Sequence, residues 1–350
     1  MDKFKKFKSD ISKYYSDNIN INFSPSSFYR SRCEFTYTNN SYAMHDGKSK
    51  IFLKSFINAS SSIQKVMPIL LYEINNSELL NKKLFQINFR SNSSKEVLAT
   101  LIYHKHLTDE IKDLRDKLNT KLIDLNVKII LRAKNEIYPE INQYFKDTIR
   151  LKNFNLTTYQ TDNCFYQPNR FLLTKMIDKV LSYIGFNNTG DLIELYCGVG
   201  TFSMPLASCF DRVFVTENNR SSIKCLKQAI IKNNIKNIDF ARLSSSEVVE
   251  LFNGRNFNRM NNKNISEYNF SHILVDPPRS GLTRDVIQLI DKVDNIIYIS
   301  CNPETYLRDV GLLNNHKIQK IEIFDQFPNT KHLEIVSLLS VNWFNLYVIN

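Results

Sequence analysis

A cysteine lies at the point where a strand pattern changes to a helix pattern. Cys301 follows the apolar run N-I-I-Y-I-S at 295–300, and Pro303 suits the first position of a helix, where its missing N–H is not needed. The positive end of a helix dipole lowers the pKa of a nearby thiol and favours the thiolate. These residues predict a nucleophilic Cys301 at the carboxyl edge of a sheet. The alternative is a buried, inert cysteine.

A second candidate for chemistry is an acidic residue on the last predicted strand. Glu334 lies in the run K-H-L-E-I-V and shares a strand face with Val336 and Leu338. Partial burial on that face raises the pKa of a carboxyl group and makes it usable as a general base. We predict that Glu334 is a base that His332 can orient. A solvent-facing glutamate and a surface histidine are the alternatives.

A glycine loop follows the predicted strand 192–195, in the run E-L-Y-C-G-V-G-T-F. Gly198 and Gly200 allow a ligand to approach the backbone. Glu217 ends the next strand, where a carboxylate can accept both hydroxyls of a ribose. Because the third glycine of the dinucleotide fingerprint is absent, an adenosine without a phosphate bridge fits better, which predicts S-adenosylmethionine. A structural turn and a solvated carboxylate are the alternatives.

Two further runs place polar side chains beside these residues. Asp276 opens D-P-P-R, whose two prolines stiffen the loop and direct the carboxylate toward the ligand. Arg279 stands where methyltransferases of exocyclic amines carry an aromatic residue, which argues against amine methylation. In F-Y-Q-P-N, the amide of Gln167 matches a pyrimidine edge or a cofactor carboxylate, and Phe165 can stack on a base. The alternative for this run is a junction turn.

The element pattern divides the chain into two regions. Residues 1–160 combine short alternating strands with helices at 63–75 and 108–125, which predicts an α+β domain with an antiparallel sheet. Residues 161–350 alternate strands and helices regularly, which predicts a Rossmann-like, doubly wound, mostly parallel sheet. Its last two strands, joined at 328–329, are expected to be antiparallel. Ligands of such sheets bind at the carboxyl edge of the strands.

Composition limits the classes of partner. The chain has 350 residues, with Lys+Arg 46 against Asp+Glu 35 and a net charge of +11, which suits a nucleic acid. Its six cysteines form no C-x-x-C pair, which argues against a disulfide framework, a metal site or an iron–sulfur cluster. No signal peptide or membrane-length apolar run is evident, so we expect a cytoplasmic protein with no membrane contact and no obligate protein partner.

Six motifs in order resemble those of the S-adenosylmethionine-dependent RNA uracil-5-methyltransferase family. They are F-x-Q-P-N, E-L-Y-C-G-x-G, the acidic strand end, D-P-P-R-S-G-L, S-C-N-P and P-x-T-x-H-x-E. The runs F-Y-R-S-R-C-E-F, K-L-F-Q-I, L-I-Y-H-K and N-G-R-N-F-N-R resemble the bacterial tRNA (uracil-5-)-methyltransferase branch. The chain lacks the four-cysteine cluster and extra barrel of the ribosomal-RNA branch. Thr201 is one departure, because the tRNA branch usually has Asn there.

The resemblance implies methylation of C5 of the T-loop uridine, position 54, of tRNA, and of tRNA-like RNAs such as tmRNA. It implies that Cys301 adds to uracil C6 and that Glu334 removes the C5 proton. It also assigns a set of residues to the cofactor and target base: Gln167, Tyr196, Gly198, Thr201, Glu217 and Asp276. We expect RNA contacts from Arg30, Arg32 and Phe165, although solvated surface arginines are the alternative. The Asn-rich loop 253–269 either reaches the RNA or is passive.

Three other functions stay open on the sequence. The first is uracil methylation of ribosomal RNA by the same chemistry. The second is cytosine C5 methylation, which requires a group that protonates cytosine N3 and usually a Pro-Cys nucleophile that this chain lacks. The third is an RNA chaperone that keeps the fold and the basic surface without essential catalysis.

Overall fold

The computed structural model describes residues 2–46, 49–140, 144–185, 190–328 and 330–341. Within these ranges the chain forms ten α-helices and seventeen β-strands. In chain order they are α1 (Lys3–Ile11), β1 (Asn20–Asn22), β2 (Arg32–Thr38), β3 (Ser41–Asp46), β4 (Ser49–Leu53), α2 (Ser61–Asn75), α3 (Glu78–Asn81), β5 (Leu84–Ser91), β6 (Val97–Tyr103), α4 (Asp109–Lys121), β7 (Val127–Arg132), β8 (Ile137–Tyr138), β9 (Phe145–Arg150), β10 (Asn155–Gln160), α5 (Arg170–Ile184), β11 (Asp191–Leu195), α6 (Ser203–Leu206), β12 (Val213–Thr216), α7 (Arg220–Lys232), β13 (Ile238–Ala241), α8 (Ser245–Phe252), β14 (Phe270–Val275), α9 (Arg284–Ile290), β15 (Asn295–Ser300), α10 (Pro303–Val310), β16 (His316–Phe324) and β17 (Glu334–Val341).

The chain folds into two compact units. The larger unit comprises Met1–Ser24, Arg150–Thr158 and Phe171–Asn350, and the smaller unit comprises Pro25–Ile149 and Tyr159–Arg170. This division differs from the predicted boundary between residues 160 and 161, because the first helix and strand of the chain pack in the larger unit. Asn20 of β1 pairs in parallel with Glu322 of β16. Such a distant pairing leaves no local pattern in the sequence.

An eight-stranded sheet forms the centre of the larger unit, in the order β1-β16-β17-β15-β14-β11-β12-β13. Strands β15, β14, β11, β12 and β13 are mutually parallel, whereas β17 runs antiparallel to both β15 and β16. The arrangement confirms the predicted Rossmann-like sheet with an antiparallel end. All five residues of β11 are buried, as is typical of a strand in a parallel sheet that is covered on both faces.

A seven-stranded sheet forms the centre of the smaller unit, in the order β4-β3-β2-β5-β6-β7-β8. Its neighbours are antiparallel except for the parallel pair β6 and β7. Helix α2 buries Ile63, Met67 and Leu70 in the core of this unit. The sheet confirms the predicted α+β class, and α2 and α4 correspond to the two predicted helices. The second helix ends at Lys121 and is followed by a short 3₁₀ turn.

The last two strands differ in their limits from the prediction. Strand β16 begins at His316 and ends at Phe324, so it lies nearer the N-terminus than the predicted strand 320–327. The sequence predicts a turn at Pro328 and Asn329, and Asn329 lies outside the described residues. In the described part of the chain, no helix combines the length and apolar character needed to cross a membrane.

Candidate active site

Three predicted site residues follow neighbouring parallel strands. The last residues of β11 and β12 are partners in the sheet register, and so are the last residues of β11 and β14. The next residues along the chain are Tyr196, Glu217 and Asp276. Because parallel strands end at the same edge of a sheet, the fold places these three residues side by side.

The glycine loop after β11 has an unusual backbone. Tyr196 has φ +62°, Gly198 has φ +56° and Gly200 has φ +84°. A left-handed conformation is rare for an aromatic residue and is typical of functional sites. A Cβ atom at Gly200 would collide with the side chain of Leu226 on α7, whereas a Cβ at Gly198 would meet no atom within 4 Å. Gly200 therefore allows close packing, and Gly198 faces open space. Thr201, which follows this turn, is buried.

Backbone donors fix the carboxylate of Glu217. Its Oε2 accepts the N–H of Gly198 at 3.0 Å, and its Oε1 accepts the N–H of Asn219 at 2.6 Å. A carboxylate has further lone pairs that can accept the two hydroxyls of a ribose. The fixed carboxylate and the open space beside Gly198 fit an adenosine-type cofactor.

Cys301 lies between β15 and α10, as the sequence predicts. Asn302 caps α10 by accepting the N–H of Glu304 at 3.1 Å, and Pro303 takes the first helical position. The other five cysteines of the chain are buried, whereas Cys301 is partly exposed. Cys301 is therefore the most accessible thiol of the six.

The antiparallel pairing of β15 with β17 brings Glu334 to Cys301. Ser300 pairs with Ile335, so the next position in the same register sets Cys301 opposite Glu334. Glu334 is the first residue of β17 and only 3% exposed. Two residues that are 33 positions apart in the sequence thus lie at one end of a strand pair.

The predicted lowering of the thiol pKa is wrong. The pKa of Cys301 is raised to about 11, mainly by burial and then by the negative charges of Glu334 and Asp276, while Arg279 acts in the opposite direction. Desolvation and the two nearby carboxylates outweigh the groups that lower the pKa of this thiol, although Cys301 lies just before α10. The free protein therefore holds a neutral thiol at neutral pH.

The pKa of Glu334 is raised well above its ordinary value, as predicted. Burial is the main cause, the charge of Asp276 adds to it, and Arg279 opposes it. A second carboxyl group, which the sequence analysis missed, behaves similarly. Glu194 on β11 is 1% exposed, and burial raises its pKa to about 8, with Ser203 opposing. In the sequence Glu194 opens the run E-L-Y-C-G-V-G and is an acidic residue inside an apolar strand, but the sequence analysis gave it no role.

Helix α10 holds the loop that carries Asp276 and Arg279. Asn302 Nδ2 donates to the Arg279 carbonyl at 2.9 Å, and Arg308 Nη2 donates to the Ser280 carbonyl at 3.0 Å. The N–H of Leu282 donates to Asp309 Oδ2 at 2.8 Å. The sequence analysis used Arg279 only as an argument against amine methylation. The structure shows that its charge acts on both Cys301 and Glu334.

Four predicted site residues lie in the smaller unit. Gln167 is buried, and its part in the cofactor site stays a prediction. Phe165 is 59% exposed, and the guanidinium of Arg32 lies 5.9 Å from the centre of its ring. Arg32 Nε also donates to Glu34 Oε1 at 2.8 Å, so its charge is partly neutralised. The guanidinium of Arg30 lies over the ring of Phe56, at 6.0 Å.

The smaller unit also contains a groove of about 1180 Å³ that the sequence analysis did not assign. In it Phe85 stacks on His104, with ring centroids 4.3 Å apart and planes inclined by 19°. Its basic lining residues are His104, Lys105, His106, Arg132 and Lys134. We call it the Phe85–His104 groove. Some of its lining residues, in the runs K-L-F-Q-I and L-I-Y-H-K, were part of the family resemblance, but nothing in the spacing of these runs indicated a shared surface.

The sheet order, the glycine loop and the acidic strand end define a class, the S-adenosylmethionine-dependent methyltransferases with a Rossmann-like fold. The profile of the family described as tRNA (Uracil-5-)-methyltransferase matches residues 1–342. This chain belongs to that family, and it is a tRNA uracil-5-methyltransferase that uses S-adenosylmethionine as methyl donor. Within the ranges that the structure describes, no three metal-binding side chains cluster.

Two bacterial relatives and one solved structure illustrate the similarity. The tRNA/tmRNA (uracil-C(5))-methyltransferase of Saccharophagus degradans is 39% identical, covering 97% of this chain and 94% of its own length. The Campylobacter lari protein with the same description is also 39% identical, covering 93% and 94%. A Pyrococcus abyssi tRNA (uracil-54, C5)-methyltransferase, solved with S-adenosyl-L-homocysteine, superposes with TM-score 0.72 at 20% identity, covering 96% and 82%.

Proposed function

We propose that this enzyme methylates C5 of the uridine at position 54 in the T-loop of tRNA, and of tRNA-like RNAs such as tmRNA. The single observation that best supports the proposed chemistry is the β15–β17 register, whose last pair is Ser300 with Ile335, so that Cys301 and Glu334 are the next residues at that end of the strand pair. The range of RNA substrates rests on the descriptions of the similar proteins. A cytoplasmic setting suits such substrates and keeps the thiol reduced.

The proposed reaction uses Cys301 as nucleophile and Glu334 as base. The thiol loses its proton to solvent, and the thiolate adds to uracil C6, which pushes electrons from the C5–C6 double bond into an enolate. The methyl donor S-adenosylmethionine would supply an electrophilic methyl group, which bonds to C5 of the enolate as its bond to the sulfonium sulfur breaks and the positive charge on sulfur is lost. The carboxylate of Glu334 then takes the C5 proton, the C5–C6 double bond re-forms, and the bond from C6 to Cys301 breaks to return the thiolate.

The raised pKa values of both groups have a consequence for this reaction. At neutral pH the free enzyme holds Cys301 as a thiol, and the raised pKa of Glu334 shifts that group toward its protonated form, so the free enzyme disfavours both active forms. Added positive charge favours both active forms. We infer that Arg279 supplies part of that charge and that the bound methyl donor supplies more. The nucleophile would then be activated chiefly when the methyl donor is present.

The cofactor is proposed to bind along the edge formed by the ends of β11, β12 and β14. Glu217 would accept the ribose hydroxyls, since its carboxylate is already fixed by two backbone donors. Gly198 leaves space for the ligand, and Tyr196 and Thr201 belong to the same loop. Asp276 lies at the end of the neighbouring strand and would face the target base and the cofactor.

The smaller unit is proposed to bind the RNA. Its Phe85–His104 groove combines an exposed stacking pair with basic side chains, which is the usual combination for unpaired nucleotides. Phe165, with Arg32 beside it, offers a second exposed aromatic ring. Removing a base from a loop requires a few kcal/mol, and stacking contacts with phosphate contacts offset this.

A methyl-transfer experiment tests the proposal. Labelled S-adenosylmethionine is incubated with unmodified tRNA, tmRNA and ribosomal RNA, using wild type, Cys301→Ala and the control Cys209→Ala, which removes a buried thiol. We expect label in tRNA as 5-methyluridine at position 54, lost only with Cys301→Ala. Label confined to ribosomal RNA would contradict the proposed substrate while keeping the chemistry.

A further inference from the structure

The N-terminal helix α1 packs on the helix that follows the nucleophile. Phe7 and Ile11 of α1 are buried in the core of the larger unit. The ring of Phe7 contacts that of Tyr306 on α10, with centroids 6.3 Å apart. Tyr14, just after α1, packs against Gly311 at the end of α10. One side of α1 is therefore anchored to the element that begins at Cys301.

The first residue of α1 contacts the segment that leads to Glu334. Lys3 Nζ donates to Asp325 Oδ1 at 2.5 Å, to the Phe327 carbonyl at 3.2 Å and to the His332 carbonyl at 3.0 Å. All three donors of the ammonium group are used. Their acceptors lie at both ends of the connection between β16 and β17, of which Asn329 is outside the described residues.

Burial distinguishes Lys3 from an ordinary surface lysine. The side chains of Lys3 and Asp325 are only 15% and 10% exposed. On the same helix, the pair of Lys6 with Asp10 is 57% and 38% exposed. A charge-assisted hydrogen bond is stronger in a partly buried setting, whereas an exposed pair contributes little. Lys6 is therefore a matched control for Lys3.

We propose that Lys3 is a positioning residue that holds the segment before β17 and so fixes Glu334 relative to Cys301. This inference rests on the proposed roles of Cys301 and Glu334. One of the two carbonyls that Lys3 binds belongs to His332, two residues before Glu334. Because α1 also contacts α10, the same helix supports both members of the catalytic pair. Loss of Lys3 should slow the step that needs Glu334, removal of the C5 proton, more than the earlier addition of the thiolate.

Two RNA substrates separate those steps. With 5-fluorouridine RNA, no C5 proton can be removed, so formation of the covalent complex reports addition and methyl transfer. With ordinary uridine RNA, a slow proton removal leaves a methylated covalent complex that resists SDS. The variants are Lys3→Met, Lys3→Arg, Lys6→Met and Glu334→Gln, each followed in a single turnover with labelled methyl donor.

We expect Lys3→Met to release product roughly ten- to a hundredfold more slowly, the loss typical of a catalytic group displaced by about 1 Å. The covalent complex with uridine RNA should accumulate, while the rate with 5-fluorouridine RNA should match that of Lys6→Met. Lys3→Arg keeps the charge and should restore most of the product release.

Equal behaviour of Lys3→Met and Lys6→Met would overturn the inference. So would a parallel slowing with both RNAs and no covalent complex, which would mean that Lys3 only supports the fold. Where Lys3→Met yields too little folded protein, Asp325→Asn removes the anionic partner and serves the same comparison. If Glu334→Gln itself accumulates no complex, the proposed base has failed rather than the role of Lys3.

Discussion

At the scale of single residues, Arg279 is the positive group that acts on both members of the catalytic pair. Its charge opposes the rise in the pKa of Cys301 and of Glu334. Its backbone carbonyl accepts hydrogen bonds from Asn302, the N-cap of α10, at 2.9 Å and from Thr305 of α10 at 3.4 Å. The position of this charge is therefore coupled to the position of the thiol.

Replacing Arg279 with Gln should raise the pKa of the Cys301 thiol above about 11. The thiolate fraction of the free enzyme would fall, so alkylation by iodoacetamide at pH 8 should slow several-fold, since one pKa unit is roughly a tenfold change. The measurement is the alkylation rate of Cys301 between pH 7 and pH 10.

Lys331→Gln is the control for that experiment, because it removes a nearby charge that is not among the causes acting on Cys301. Arg279→Lys should lie between wild type and Arg279→Gln. An unchanged alkylation profile in Arg279→Gln would show that the guanidinium does not act on the thiol.

Glu334 should make the protein less stable as the pH rises. Its folded pKa is raised by burial, so the stability present below the unfolded pKa of about 4.3 is lost progressively as the pH rises toward the folded value. Glu334→Gln does not titrate. We expect this variant to melt at a higher temperature than wild type at pH 8. The expected difference is about 2–4 °C for each kcal/mol by which its free energy of unfolding exceeds that of wild type, and it should be smaller at pH 5. A difference independent of pH would contradict this cause.

At the scale of elements, the contact between α10 and the loop 276–282 determines where Asp276 and Arg279 lie. Gly281 is the tightest point, with φ +73°, where a Cβ would stand 2.6 Å from Asp309 Oδ2 and 2.8 Å from Thr305 Cβ. Gly254 also has a positive φ, of +93°, but its Cβ would meet nothing within 4 Å. Comparing an alanine substitution at each of the two glycines therefore distinguishes the cost of backbone strain from the cost of a steric clash.

Gly281→Ala should therefore destabilise the protein more than Gly254→Ala. A left-handed alanine by itself costs about 1–2 kcal/mol, and only at Gly281 is a displacement of α10 or the loop added. Urea unfolding of both variants measures the difference, and methyl transfer should be impaired only in Gly281→Ala. Equal losses of stability would mean that the loop adapts without moving the helix.

At the scale of the whole molecule, the net charge of +11 predicts RNA binding that weakens steeply with salt. Stacking of bases on aromatic side chains is a separate contribution to the RNA-binding free energy, independent of charge. Phe85 is 41% exposed and stacks on His104, so it is available to an unpaired base. Phe52 on β4 of the same unit is 48% exposed and lies outside the Phe85–His104 groove.

Phe85→Ala should weaken tRNA binding by about 1–3 kcal/mol, the usual contribution of one base stacked on an aromatic ring. Phe52→Ala is the control and should bind as wild type does. Filter binding at two salt concentrations measures both effects, and the affinity for S-adenosylmethionine should be unchanged. If both variants bind tRNA equally, the Phe85–His104 groove is not the RNA surface.

Much of the larger unit was predictable because its signals are local. Alternating strands and helices with the right apolar periods predict a parallel sheet, and the motif residues follow strands. Since parallel strands end at one edge, the sequence alone predicted Glu217 and Asp276 at the ligand-binding edge, and the family resemblance added Tyr196. The antiparallel orientation of the last two strands was also predictable, although the first and last residues of β16 were not.

The sequence by itself determined the sheet class, the family and the identities of the catalytic candidates, because each depends on short runs of residues. Only the tertiary structure decided that α1 and β1 belong to the larger unit, that Phe85 stacks on His104, and that Lys3 holds the segment before Glu334. It also reversed the expected pKa shift of Cys301. The physical reason is common to all four: each depends on contacts between residues that are far apart in the sequence, and the spacing of a motif does not encode such contacts. For Cys301 these contacts set the burial of the thiol and the charges around it, which determine its pKa.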